Sequence, residues 1–143
     1  LFIFTALLAA TQNSFASIHA FKTPQTSLKV FHDKKVVALD DKLWILLEFE
    51  LKPGWHIYWS NPGQSGLPTQ VKWKSAHPST MHSFPPKIIN QESIIQYGYQ
   101  NKANFLLEIP VEKGWSENID FELSWAVCEE LCIPENTKIQ LTV

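Results

Sequence analysis

Cys128 and Cys132 are the only two cysteines of the chain, in the stretch Trp125-Ala-Val-Cys-Glu-Glu-Leu-Cys-Ile-Pro134. An even cysteine count behind an export signal reads as a disulfide. In an extended strand this spacing would hold the two Cα atoms roughly 13 Å apart, at about 3.3 Å per residue. Most disulfides hold their Cα atoms about 4.4–6.8 Å apart. The chain must therefore turn back between the two cysteines and close a very small ring. Such a ring contributes only about 2 kcal/mol by loop entropy, less than a long-range staple. As the sole staple of a fold it is weak, whereas as a dithiol that opens and closes it is well suited. On spacing alone, a static structural disulfide is the alternative.

The signal reading rests on Leu1 to Ala10, LFIFTALLAA, an uncharged apolar run too short to anchor in a bilayer. Ser14-Phe15-Ala16 follows with a small-x-small cleavage pattern, and the first basic residue is Lys22. Residues 1–16 thus read as a secretory signal clipped at its front, since no initiator Met or basic segment precedes it. A buried amino-terminal helix is the alternative. Residues 17–143 are expected to form one domain with a real core, as an excerpt of a larger protein. The net charge of -2, without a basic stripe, argues against nucleic acid and anionic membrane surfaces as partners.

The mature region reads as all-β. Leu43–Leu51 alternates in its second half and ends at Pro53-Gly54. His56–Trp59 is a short aromatic strand stopped by Asn61-Pro-Gly63. In Thr69–Trp73, Val71 and Trp73 share one face. Asn104–Ile109 ends before Pro110. Ile119–Trp125 puts Phe121, Leu123 and Trp125 on one face, and Lys138–Val143 alternates again. Ser93 to Gln96 reads as a turn, and no long stretch has helical periodicity. Six tryptophans and nine phenylalanines suit sheet packing. Short strands at this spacing, divided by Pro and Gly, predict an immunoglobulin-like β-sandwich. The cysteines then fall on a hairpin connection at one end of it, since Cys128 follows one strand and Cys132 precedes the last.

Thiol exchange depends on the thiolate fraction. Glu129 and Glu130 lie between the cysteines, with no Lys or Arg within several residues, and nearby negative charge disfavours a thiolate. The pair is not an aggressive free nucleophile. It suits a carrier that reacts when a partner shapes the site.

Pro53-Gly-Trp-His-Ile-Tyr-Trp-Ser-Asn-Pro-Gly63, Gly66-Leu-Pro68, Tyr97-Gly-Tyr99 and Cys128-x3-Cys-Ile-Pro134 together carry a resemblance. The chain, from about Leu28 to Val143, resembles the amino-terminal periplasmic domain of the thiol:disulfide interchange protein DsbD and its ScsB-type relatives. The short cysteine spacing is more similar to the ScsB-type branch. The resemblance implies a periplasmic, immunoglobulin-like redox module with no cofactor of its own. Such a module is part of a protein-disulfide reductase system more than a complete enzyme, in settings such as cytochrome c biogenesis or copper tolerance. It implies that electrons arrive from a membrane-embedded domain, in the same full-length chain, and a thioredoxin-like domain. They then pass to thioredoxin-like periplasmic partners such as disulfide isomerases. By the same resemblance Cys132 is the exchanging sulfur and Cys128 the resolving one. His56 and Tyr58 match positions beside the dithiol, Tyr97 and Tyr99 are further neighbours, and the segment from about Asn90 to Tyr97 matches a loop that covers it. Ordinary sandwich core is the alternative for Trp55, Tyr58, Trp59 and Trp73.

A second function class competes for the same sulfurs. Two thiolates and one histidine can hold Cu(I), because soft ligands favour it. However, His19, His32, His56, His77 and His82 show no H-x3-H spacing. Sco-type copper chaperones carry Cys-x3-Cys-Pro on a thioredoxin fold, which the β pattern does not support. A sugar-binding sandwich would use exposed aromatics as stacking platforms, and nothing in the sequence separates these from core.

Overall fold

A computed structural model describes residues 16–32, 42–75, 78–91, 93–112 and 118–142. The expected signal segment lies outside the described residues, except for Ala16. Among the described residues there are eleven strands and no helix. In chain order these are β1 (Ala16–Lys22), β2 (Thr26–His32), β3 (Lys42–Leu51), β4 (His56–Gly63), β5 (Gln70–Trp73) and β6 (Thr80–Ser83). They continue as β7 (Lys87–Gln91), β8 (Ile94–Gln100), β9 (Lys102–Pro110), β10 (Asn118–Cys128) and β11 (Cys132–Thr142). One sheet has the order β1-β2-β3-β9-β6 and the other β11-β10-β4-β8-β7, with β5 also pairing with β10. The result is the immunoglobulin-like β-sandwich that the alternation predicts.

Period-two burial explains the sandwich. Leu43, Ile45, Leu47 and Phe49 of β3 point inward and are fully buried, while Trp44, Leu46 and Glu48 between them are half-buried on the outer face. Ile119, Phe121, Leu123 and Trp125 of β10 form the facing wall. Each such side chain contributes about 1.5–3 kcal/mol on burial. Phe49 joins the two sheets, edge-on to Phe105 at 5.8 Å and to Trp125 at 5.2 Å. The Trp125 indole N–H donates to buried Glu135 at 2.8 Å, and the Thr23 hydroxyl donates to the same carboxylate at 2.6 Å. This ties the β1–β2 turn to the hairpin that carries the cysteines.

Several boundaries differ from the sequence expectation: β9 includes Pro110 and β10 runs on to Cys128, and three further differences have a clear cause. The strand from His56 runs on through Asn61-Pro-Gly63, because its pairing with β8 shifts register between Tyr58 and Gly63 instead of ending. The last strand begins at Cys132, not at Lys138, and pairs with β10 without interruption from Asn118↔Thr142 to Cys128↔Cys132. Pro134 is tolerated there because β11 is an edge strand, where a missing N–H breaks no ladder. The turn expected at Ser93–Gln96 is confined to the β7–β8 connection, where Ser93 takes φ 77°, and β8 has begun by Ile94.

Candidate functional site

The long β10–β11 hairpin ends in a three-residue reversal, Glu129-Glu130-Leu131, fastened by the Glu129 N–H donating to the Leu131 carbonyl at 3.1 Å. Cys128 and Cys132 are the last register pair before it, with Cα atoms 4.1 Å apart, and they form a disulfide. The two sulfur-bearing residues differ sharply in exposure. Cys128 is 1% exposed, whereas Cys132 is on the exposed face of the tip beside Leu131, itself 78% exposed.

Cys128 belongs to a small buried cluster with Tyr58 and Ala126, apart from the main core. The Tyr58 hydroxyl is the hub of this cluster. It lies 3.2 Å from His56 Nε2, 3.9 Å from Cys132 Sγ, and accepts from the Gln96 side-chain amide at 3.3 Å. The same Gln96 nitrogen donates to the Ser65 hydroxyl at 3.1 Å. The His56 and Tyr58 rings meet edge to face, 5.1 Å apart. Both residues are on β4, two positions apart and therefore on one face. His56 stands in register opposite Cys128 of β10, the one point where β4 and β10 pair.

Burial sets the charge state of this cluster. Desolvation lowers the His56 pKa below its ordinary 6.5, so the imidazole is neutral at neutral pH. Desolvation raises the Tyr58 pKa, offset in part by the Gln96 hydrogen bond, so its phenol keeps its proton. The negative charge of Glu129 and Glu130 is on the exposed tip.

The structure therefore brings Cys128, Cys132, His56 and Tyr58 together. Tyr97 is half-buried with its ring edge-on to Trp59 at 6.3 Å. Tyr99 packs in the main core and donates from its hydroxyl to the Phe84 carbonyl at 2.6 Å. Trp55, Trp59 and Trp73 pack partly buried against that core. The segment matched to a covering loop forms the end of β7, the turn and the start of β8; from it Gln96 reaches the Tyr58 hydroxyl. Sequence reasoning missed Gln96 and Ser65. Gln96 is within the segment matched to a covering loop and borders the Tyr97-Gly-Tyr99 motif, but no residue pattern singles it out.

Histidines other than His56 are dispersed. His19 contacts Thr137, His82 pairs with Glu108, and His32 is buried on β2. His77 lies outside the described residues. Among the described residues no group of three His, Cys, Asp or Glu side chains is placed to hold a metal ion. No helix among them is long and apolar enough to cross a membrane.

The sequence matches the family described as "Thiol:disulfide interchange protein DsbD, N-terminal" over residues 25–143. No curated protein matches it. Among solved structures, the N-terminal periplasmic domain of ScsB from Proteus mirabilis is similar, with a TM-score of 0.75 and 25% identity. That match covers 90% of this chain and 52% of the other, so the chain spans about half the length of the ScsB domain. The reduced form of the Neisseria meningitidis DsbD N-terminal domain matches with a TM-score of 0.55 and 17% identity. It covers 73% of this chain and 78% of that one, a likeness of fold.

Proposed function

The chain belongs to the family of the DsbD N-terminal domain, and from that premise we propose that it is a periplasmic carrier of two electrons. It takes them from a thioredoxin-like or membrane-embedded donor and passes them to thioredoxin-like periplasmic proteins such as disulfide isomerases. In this reading residues 1–16 are the export signal, the membrane domain belongs to the same full-length protein, and the module is one stage of a disulfide reductase.

The observation that carries the proposal is the unequal burial of the two sulfurs. Cys132 is exposed at the hairpin tip, where a partner can reach it, while Cys128 is enclosed. In the oxidised module a donor thiolate attacks Cys132 Sγ, the Cys128–Cys132 bond breaks, and its electron pair leaves on Cys128. A second donor thiol then displaces Cys132, and the donor departs oxidised. In the reduced module Cys132 attacks the acceptor disulfide and Cys128 resolves the resulting mixed disulfide. The hairpin suits this cycle, because an uninterrupted ladder from Asn118↔Thr142 onward leads up to the Cys128↔Cys132 pair.

Trapping tests the proposal. Cys128→Ser should accumulate a mixed disulfide through Cys132 with a thioredoxin-like protein bearing a single active cysteine, and Cys132→Ser should accumulate little. Capture mainly through Cys128 would overturn the assignment.

A further inference from the structure

Cys128 is buried, yet it must lose a proton each time it resolves a mixed disulfide. A thiol in apolar surroundings resists ionisation, and here solvent does not reach it to act as base. His56 is its register partner across β4 and β10. Residues directly opposite in an antiparallel pair share a face, with Cβ atoms about 4.5–5.5 Å apart. The register therefore makes His56 the cross-strand neighbour of Cys128 on that face, and its Nε2 is 3.2 Å from the Tyr58 hydroxyl. That hydroxyl is in turn 3.9 Å from Cys132 Sγ. His56 is thus in register with the enclosed cysteine, and the Tyr58 hydroxyl stands between its imidazole and the exposed one.

We infer that His56 takes the proton of Cys128 in the resolving step, and that the Tyr58 hydroxyl relays it to the sulfur leaving Cys132. The inference rests on the dithiol-carrier reading and assigns the proton path within it. The step begins from a mixed disulfide between Cys132 and the acceptor, with Cys128 a thiol. Cys128 gives its proton to His56, and its sulfur electron pair forms the Cys128–Cys132 bond. The bond from Cys132 to the acceptor sulfur breaks, and that pair leaves on the acceptor. Tyr58 passes its hydroxyl proton to the departing thiolate and is reprotonated by His56. The domain ends as a disulfide, the acceptor as a dithiol, and His56 is neutral again.

The surroundings fit this role. Burial holds the His56 pKa low, so that a neutral imidazole is present to accept a proton. Around it, Gln100 is its uncharged register partner on β8, and Gln96 donates to the Tyr58 oxygen. On the hairpin side are the two cysteines and Glu129, whose exposed carboxylate oxygen is 3.0 Å from where a Cβ on Gly54 would sit. Gln96 and the close packing against Tyr58 position the hydroxyl and carry no proton themselves.

The test mixes the reduced protein with one equivalent of 5,5′-dithiobis(2-nitrobenzoate), whose first chromophore release reports attack and whose second reports resolution. Glutathione disulfide, which yields a more basic leaving thiol, is used in parallel. His56→Gln should slow the second release about a hundredfold and change the first by less than about threefold. Tyr58→Phe should slow resolution with glutathione but not with thionitrobenzoate, an acidic thiol that leaves without a proton. In the unsubstituted protein the second release should rise with pH only up to the ionisation of His56, below its ordinary 6.5, and then level off. Equal slowing of both phases, an unchanged second phase, or an unsubstituted rate climbing about tenfold per pH unit through neutrality overturns the inference. If the unsubstituted protein never shows a second release, the dithiol-carrier reading itself fails.

Discussion

Gly66 lies against the ring of Tyr58 so closely that a Cβ on it would come 2.5 Å from Cε1, and its φ is +118°. The loop that carries it continues to Pro68, which bridges to Tyr58. The ring beneath the disulfide is thus clamped by a residue that has to lack a side chain.

Gly66→Ala should therefore destabilise the domain by about 1–3 kcal/mol, from backbone strain and overpacking together. It should also slow exchange at Cys132 by displacing the Tyr58 hydroxyl. Denaturant unfolding followed by tryptophan fluorescence measures the first effect. A midpoint indistinguishable from the parent would show that the loop moves aside at no cost, and that the clamp is illusory.

Reduction of the disulfide should leave the sandwich folded. The ring contributes about 2 kcal/mol against a typical total of ~5–15, and the main core is a separate cluster that draws on both sheets, chiefly β3, β9 and β10. Far-ultraviolet circular dichroism in dithiothreitol should match that of the oxidised protein, with a modestly lowered melting temperature. Collapse of the β-sheet signal under native conditions would make the disulfide structural.

The strands that the sequence displays best are those with one buried and one partly exposed face, such as the second half of Leu43–Leu51 and Ile119–Trp125. There burial imposes alternation directly. β7 is harder to read because the run Lys87-Ile-Ile-Asn-Gln91 does not alternate, and Ile88 is 62% exposed. β6 is only four residues long and shows no large apolar side chain beyond Met81. In β11, Pro134 conceals the strand, and only the edge position of β11 excuses it. The cysteines and their hairpin are legible because their geometry is local, four residues apart. The register of His56 with Cys128 and the approach of Gln96 to Tyr58 are contacts between distant chain segments, and no local pattern encodes them.

Acid stability should depend in part on Glu108. Hydrogen bonds from Lys42 and then His82 hold its pKa below the ordinary 4.5. A depressed folded-state pKa contributes stability that is present above the unfolded value and lost as pH falls through the folded one. Melting temperatures should thus fall below about pH 4.5 in the parent, and Glu108→Gln should remove part of that slope. Salt should weaken the difference, because the cluster is near the surface. Parallel acid profiles for parent and variant would eliminate the link.

Copper affinity separates the dithiol carrier from the competing metal site. Two thiolates attract Cu(I), but Cys128 is enclosed in the buried cluster with Tyr58 and Ala126, and an imidazole is the natural further ligand. The candidate by position is His56, and its Nε2 is engaged with the Tyr58 hydroxyl beneath the disulfide. The reduced protein should therefore surrender Cu(I) to a strong chelator such as bicinchoninate, and His56→Gln should barely change that competition. Sub-picomolar binding that disappears in Cys132→Ser would instead favour a copper-handling module. If His56→Gln weakened such binding as well, the imidazole would be a ligand and not a proton acceptor.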